Sequence, residues 1–183
     1  MVSLVSVGRR FEIPFKVIEG GSGTVMATLS ETDQNSQPSY VFVQPRHVLR
    51  ATTPTAIRPG MVLLSPEGAP FIVGANGPSE QVVGKLWDSF RLFEPTGQYL
   101  WSRRTQTIDP ITKQPRSGDA IKLGMIWAAL EPMDREQSDR EMRVNFEQVR
   151  FITGAGIQRG DLIDNRAITK LDKQLGVRIG ILT

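Results

Sequence analysis

Apolar and polar residues alternate at period two in several short stretches of this chain, and that pattern predicts strands. Phe11–Val17 alternates cleanly. Pro14 within it lacks an amide donor, which predicts an edge strand or a bulge. Gly20–Gly23 reads as a turn, and Thr24–Leu29 resumes the alternation with Val25, Ala27 and Leu29 on one face, so a hairpin is expected. Ser30–Ser39 is polar and reads as a surface loop. Tyr40–Val43 predicts a short strand, and Pro45–Ile57, with two prolines and a threonine-rich run, predicts irregular structure with at most one helical turn. Further on, Trp87–Glu94, Tyr99–Thr107, Ile121–Leu130 and Val177–Ile181 read as strands, with Asp109–Asp119 as a turn-rich excursion. Ser79–Val83 has residues that could start a short helix, but Gly84 and the run after it turn the reading to strand. Leu123–Leu130 is nearly continuous in apolar character, as in a strand covered on both sides. Glu141–Ile152 predicts the return strand, with a change of parity that a β-bulge near Glu147–Gln148 explains.

Two stretches echo one another. Ile57-Arg58-Pro59-Gly60-Met61-Val62-Leu63-Leu64 and Ile157-Gln158-Arg159-Gly160-Asp161-Leu162-Ile163 each run isoleucine, turn, glycine, one residue, aliphatics. Each is followed by a turn cluster and a second apolar run, Pro70–Gly74 and Ala167–Leu171. A glycine at that point supplies a positive φ at little steric cost. A short hairpin used twice is the expectation, though seven residues of loose similarity are thin ground for two related half-domains. Together these elements predict an all-β fold, a barrel or sandwich of about ten short strands with long loops and at most one or two short helices. The expected division is residues 1–50 as an N-terminal arm and hairpin and 51–183 as an assembly domain, or one continuous domain.

Composition changes this picture little. The 183 residues include 22 Lys/Arg and 19 Asp/Glu, a net charge of +3, with charged residues spread along the chain. Only Arg9-Arg10 and Arg103-Arg104 are adjacent basic pairs, whereas a dedicated nucleic-acid binder clusters such residues. No cysteine is present, which removes disulfides and thiolate chemistry. No apolar run is long enough to span a membrane, and Met1–Arg10 has its basic pair after its apolar part, the reverse of a signal peptide.

Candidate chemistry is sparse. His47 is the single histidine and reads as a loop residue; no nucleophile elbow accompanies it. One histidine without cysteine cannot make the usual zinc site. Asp161, Asp164 and Asn165 are close together as for a hard cation but lack calcium-loop spacing, and Asp164-Asn165 reads as turn chemistry. Gly154-Ala155-Gly156-Ile157-Gln158-Arg159-Gly160 has its third glycine one residue late for a dinucleotide loop, and a strand pattern follows it instead of a helix. No catalytic residue, metal site or cofactor is therefore expected, and the chain reads as a non-enzyme. Asp134, Arg135, Asp139, Arg140 and Arg143 form a charged tip suited to a subunit interface. Arg103 and Arg104, after Tyr99-Leu100-Trp101, are candidate DNA-facing or basic contacts, and only one of them can share a face with Trp101.

Ile57–Leu63 with Gly68 and Phe71–Gly74, Gln158–Ile163 with Ile168-Thr169 and Leu175–Val177, and Trp101–Arg104 with Asp109–Thr112 resemble the small β-barrel connection proteins between head and tail of tailed bacteriophages. These are neck proteins of the stopper (head-closure) or tail-completion kind, and the likeness covers about residues 57–183. The resemblance implies a structural virion protein assembled in the bacterial host cytoplasm. It also implies a homo-oligomeric ring of six or twelve copies, portal or adaptor and tail proteins as partners, genomic DNA passing through the lumen, and no membrane. A neck, tail-completion or baseplate position would share the same features. The alternative reading is a single-stranded nucleic-acid-binding β-barrel that uses Trp101 and Arg103. A carbohydrate-binding β-domain rests on fold class alone.

Overall fold

The computed structural model describes residues 12–31, 45, 47–75, 79–82, 84–133 and 148–183, and these contain strands without a helix. The first seven strands are β1 (Ile13–Glu19), β2 (Thr24–Glu31), β3 (His47–Thr52), β4 (Val62–Leu64), β5 (Pro70–Ala75), β6 (Glu80–Val82) and β7 (Lys85–Phe93). Six more follow: β8 (Gly97–Ile108), β9 (Pro115–Pro132), β10 (Val149–Thr153), β11 (Asp161–Ile163), β12 (Arg166–Gln174) and β13 (Val177–Leu182). The chain is all-β and forms two closed six-stranded barrels. In the first, the order β3-β2-β1-β4-β5-β7 is closed by pairing of β3 with β7, and β6 is appended to β7. In the second, β10-β13-β12-β11-β8-β9 closes on itself. Strand pairing thus divides the chain between β7 and β8 instead of near residue 50, and β1 and β2 belong to the first barrel.

The two barrels have one connectivity. Substituting β8, β9, β10, β11, β12 and β13 for β1, β2, β3, β4, β5 and β7 converts the first strand order into the second. The echoed glycine turns occupy the same step, between third and fourth strand. Gly60 and Gly160 have φ of 93° and 90°. Gly60 N donates to Val73 O (2.7 Å) and Gly160 N to Ile168 O (3.1 Å), while Met61 N and Asp161 N close the turns on Arg58 O and Gln158 O. Ile57 and Ile157 plug the two barrels from equivalent places, and both are buried.

Alternation sorts each strand's residues between two layers. Phe15, Val17, Ala27, Leu49, Leu63, Phe71, Val73 and Leu92 fill the first barrel. Ile126, Phe151, Ile163, Ile168 and Leu182 fill the second. The opposite faces of β4, β5 and β7 (Val62, Ile72, Phe93) meet those of β9, β10 and β13 (Ala129, Ile152, Val177, Ile179) in a third cluster that joins the barrels. There Gly154 approaches the first barrel so closely that a Cβ would fall 1.9 Å from Gly60 O, and Ala75 N donates to Leu175 O at 2.6 Å.

Several expectations change. Residues 47–52, expected to be irregular, form β3, because Leu49 and Ala51 point into the core and both strand edges are paired. The prolines at 45 and 54 bracket that strand instead of interrupting it. Of the two expectations for β1, the edge strand fails and the bulge holds: Pro14 lies in the half that pairs only with β2, β4 pairs from Lys16 onward, and the register shifts between Val17 and Glu19. Pro115–Asp119 belong to a strand, and the turn shrinks to Asp109–Gln114. The apolar run of β9 is covered on both sides only from Ile126 onward; Leu123 and Met125 are exposed, because β9 has by then left the barrel. The predicted strand at 40–43, the charged tip Asp134, Arg135, Asp139, Arg140 and Arg143, and residue 147 of the proposed bulge lie outside the described residues.

Candidate functional site: the β8–β9 arm

β8 and β9 pair far beyond the second barrel. β11 covers β8 only at Trp101–Arg103 and β10 covers β9 only at Ala128–Pro132, whereas the β8–β9 ladder runs on to Ile108 and Pro115. The segment from Arg104 to Lys122 is therefore a two-stranded ribbon that extends about 15–20 Å at strand rise. Two register shifts, one between Trp101 and Ser102 and one between Arg104 and Gln106, bend it at its base.

A carboxylate holds the base. Asp161, 2% exposed, accepts from Arg103 Nε (2.6 Å) and Nη2 (2.9 Å), Trp101 Nε1 (2.9 Å) and Gln158 N (2.9 Å). Burial alone would push this carboxyl up, but the Arg103 guanidinium, the Gln158 amide and the Trp101 indole together hold it below the usual aspartate range. Asp161 in turn raises the pKa of Arg103. Arg103 also stands over the Trp101 ring, 5.8 Å from its centroid. Arg103, then, is the arginine on the face of Trp101, and its charge is engaged within the protein. Arg104 is exposed on the opposite face.

A second carboxylate holds the tip. Asp109 Oδ1 accepts from Ile111 N (2.7 Å) and Thr112 N (3.1 Å), Arg116 Nη2 reaches Oδ2 at 2.6 Å, and the Asp109 backbone closes the turn with Lys113 N and Gln114 O. The Thr112 and Ile111 amides lower the Asp109 pKa most, and Arg116 adds to them. The carboxylate is shielded by its own turn and not by a core. What the turn displays is apolar: Ile111 is 89% and Ile108 71% exposed, and Ile121, Leu123 and Met125 follow along the ribbon. These five account for most of the exposed large hydrophobic residues in the described structure; Met26 and Leu86 are the others.

The sequence singled out Arg103 and Arg104 and weighed Asp161 only against a calcium loop; it missed the pairing of Asp161 with Arg103 and Trp101, and it missed Asp109 and the isoleucines. The Asp109-Pro110-Ile111-Thr112 run was legible as a turn between two strands, and what the sequence lacked was any sign that Pro115–Asp119 continue the ladder and carry it beyond the barrel. Asp164 and Asn165 adopt φ of 46° and 65° as turn residues, and Asp164 Oδ1 accepts from Leu100 N at 2.8 Å. His47 lies at the start of β3, not in a loop. Its Nε2 is 3.0 Å from Glu94 Oε1 and its ring meets Phe71 edge-on, while Nδ1 is buried without a partner. That arrangement fits the Nε2-protonated tautomer. Among the described residues no group of three or more histidine, aspartate or glutamate side chains is placed to hold a metal ion. No family model, no curated protein and no solved structure matches the chain.

Proposed function

We propose that this chain is a structural virion protein of a tailed bacteriophage, a ring-forming subunit of the neck that joins head to tail around the DNA channel. It is of the stopper or tail-completion kind, incorporated in a ring of six or twelve copies and assembled in the host cytoplasm. The reading rests on the sequence resemblance and on one structural observation, the β8–β9 arm. A free two-stranded ribbon is marginally stable in water; this one has open edges on both strands, aliphatic side chains on both faces, and a carboxylate fixing each end. An assembly subunit uses such an element, because pairing and burial are completed by a neighbour. The role proposed is architectural, with no reaction assigned. Single-strand nucleic-acid binding is less well supported, since Trp101 and Arg103 would have to be free to stack on bases and both donate to Asp161.

Light scattering on the purified chain and antibody labelling of phage particles test the proposal together. A ring-sized species and label at the head–tail junction are expected. A chain that stays monomeric at high concentration and is absent from particles removes it.

A further inference from the structure

We infer that the arm of one copy docks on the first barrel of a second copy, at the end that carries Met26 and Leu86, so that subunits join head to tail. The inference rests on the reading of the chain as an assembling subunit and names the surface that receives the arm.

Three observations choose that acceptor. The first is charge. Residues 12–94 carry six Lys/Arg against eight Asp/Glu, whereas residues 95–183 carry fourteen against eleven. The arm itself presents Arg104, Lys113 and Lys122 outward, Arg116 is turned onto Asp109, and Asp119 is its other acid. A basic arm on a barrel of positive net charge meets an acidic barrel, and not its own kind, at lower electrostatic cost. The second is apolar surface. Among the described residues Met26 and Leu86, about half exposed, are the large exposed hydrophobics outside the arm and β9, and both belong to the first barrel. Extending the β2–β3 register from Thr28–Arg50 sets Met26 level with Thr52, whose partner on β7 is Trp87, beside Leu86. The two residues thus lie at one end of the barrel, their backbones about two strand spacings or 10 Å apart, Met26 on the outer face and Leu86 at the rim with the parity of core-facing Phe90 and Leu92. Glu80 and Asp88 stand on β6 and β7 beside them, with Lys85 and the exposed Arg50 of β3 as nearby cations.

The third observation comes from the repeat. By register, Met26 of β2 corresponds to Trp127 of β9, because Val25–Phe15 and Ala27–Ile13 match Ile126–Tyr99 and Ala128–Gly97. Trp127 packs into the cluster joining the two barrels. The position through which the second barrel packs on the first is, at Met26 of the first barrel, half exposed. A head-to-tail contact of this kind is heterologous, so repetition closes a ring or extends a filament.

The chain has no cysteine, so two single-cysteine variants make a clean test. Ile111→Cys and Leu86→Cys proteins are mixed, allowed to exchange subunits and oxidised. The mixed disulfide should form roughly tenfold faster than either self-disulfide, and Ile111→Asp should weaken association roughly tenfold or more, as expected for an exposed hot-spot side chain. Faster self-linkage of Ile111→Cys means arm-to-arm pairing and overturns the inference. So does duplex DNA binding by a monomeric wild type that Ile111→Asp abolishes. If Ile111→Asp rings persist in micrographs, the docking site is wrong while the neck assignment stands. A wild type that neither associates nor enters particles removes both.

Discussion

The two barrels are built from one plan, and their corresponding positions show what each was free to change. Leu49 faces Phe90 across β3 and β7, and the equivalent pair across β10 and β13 is Phe151 and Gly180. Large and small have changed places, so volume is kept while the chain that supplies it switches. The exchange has become irreversible in detail: a Cβ on Gly180 would fall 2.7 Å from the Phe151 ring and also 2.2 Å from Lys170 O. Ring and backbone have both closed over the missing side chain.

The residue after the echoed glycine shows a change of another kind. Met61 Sδ receives the Arg58 amide at 3.3 Å, and Asp161 Oδ2 receives the Gln158 amide at 2.9 Å. One amide need is met by a thioether in one barrel and a carboxylate in the other. Beside Met61 the β1–β2 hairpin turns back at once through Gly20 and Gly21, and a Cβ on Gly20 would lie 3.2 Å from Met61. Beside Asp161, at the place of Gly20, stands Arg103, and the hairpin runs on into the arm. Replacing a thioether with a carboxylate therefore goes together with replacing a tight glycine turn with a long ribbon. A charged anchor holds the base of an element that no core supports.

Breaking the equivalence at its most closely packed point should have the largest effect. Gly180→Ala is expected to destabilise the protein by about 3 kcal/mol or more through overpacking. Adding Phe151→Leu should restore only part of that, because the Lys170 carbonyl remains in the way. Urea denaturation of the single and double variants checks this, and full rescue would mean that the ring alone fills the site. Next in size is the anchor. Asp161→Ala leaves a guanidinium, an indole and an amide without their acceptor and should cost about 3 kcal/mol. Met61→Ala loses packing worth about 2 kcal/mol. Hydrogen exchange separates the two: Asp161→Ala should expose the amides of Arg104–Lys122, and Met61→Ala should leave them as they were.

The strands were legible where one face is buried and the other wet, as in Thr24–Leu29, whose predicted inner face Val25, Ala27 and Leu29 lines the first core. They were not legible where both edges and a short alternation carry the element. Residues 47–52 offer only Leu49 and Ala51 as core positions between prolines, and pairing on both sides supplies what local pattern lacks. The glycine echo was visible, but the repeat behind it was not, because the barrels share connectivity and register and few side chains. The arm was hidden for a physical reason as well. Its apolar residues satisfy a strand pattern whether they face a core or solvent, and only the strand pairings tell which.

Acid should move the two barrels in opposite directions, an effect smaller than any core change. Burial raises the Glu19 pKa in the first barrel. Its folded state therefore prefers the protonated form, so the penalty on its carboxylate is present above that raised value and relieved as pH falls through it. Asp161 in the second barrel and Asp109 at the tip of its arm are lowered. Their contribution is complete above the ordinary aspartate value of about 3.9 and disappears as pH falls through their depressed folded values. Carboxyl-carbon NMR during an acid titration should show Glu19 titrating first, and the arm-tip amides of Ile111 and Thr112 shifting only at lower pH. A common midpoint for all three groups would dissolve the distinction between a desolvated acid and two anchored ones.

The smallest expected change in stability comes from the largest alteration of sequence. Replacing residues 104–120 with Gly-Gly-Ser-Gly, the turn that closes the corresponding hairpin at Gly20–Gly23, makes the second barrel resemble the first. The removed residues contribute nothing to any of the three buried clusters, so unfolding free energy should change by about 0.5 kcal/mol or less, as for surface positions. Association should nevertheless be lost, since Ile108 and Ile111 leave with the arm. A loss of several kcal/mol would mean that the ribbon supports its own barrel. An unchanged oligomer would mean that the ribbon is ornament and that the copies meet elsewhere, because an element that neither stabilises the fold nor joins subunits has no other use for two carboxylates that hold its ends in place.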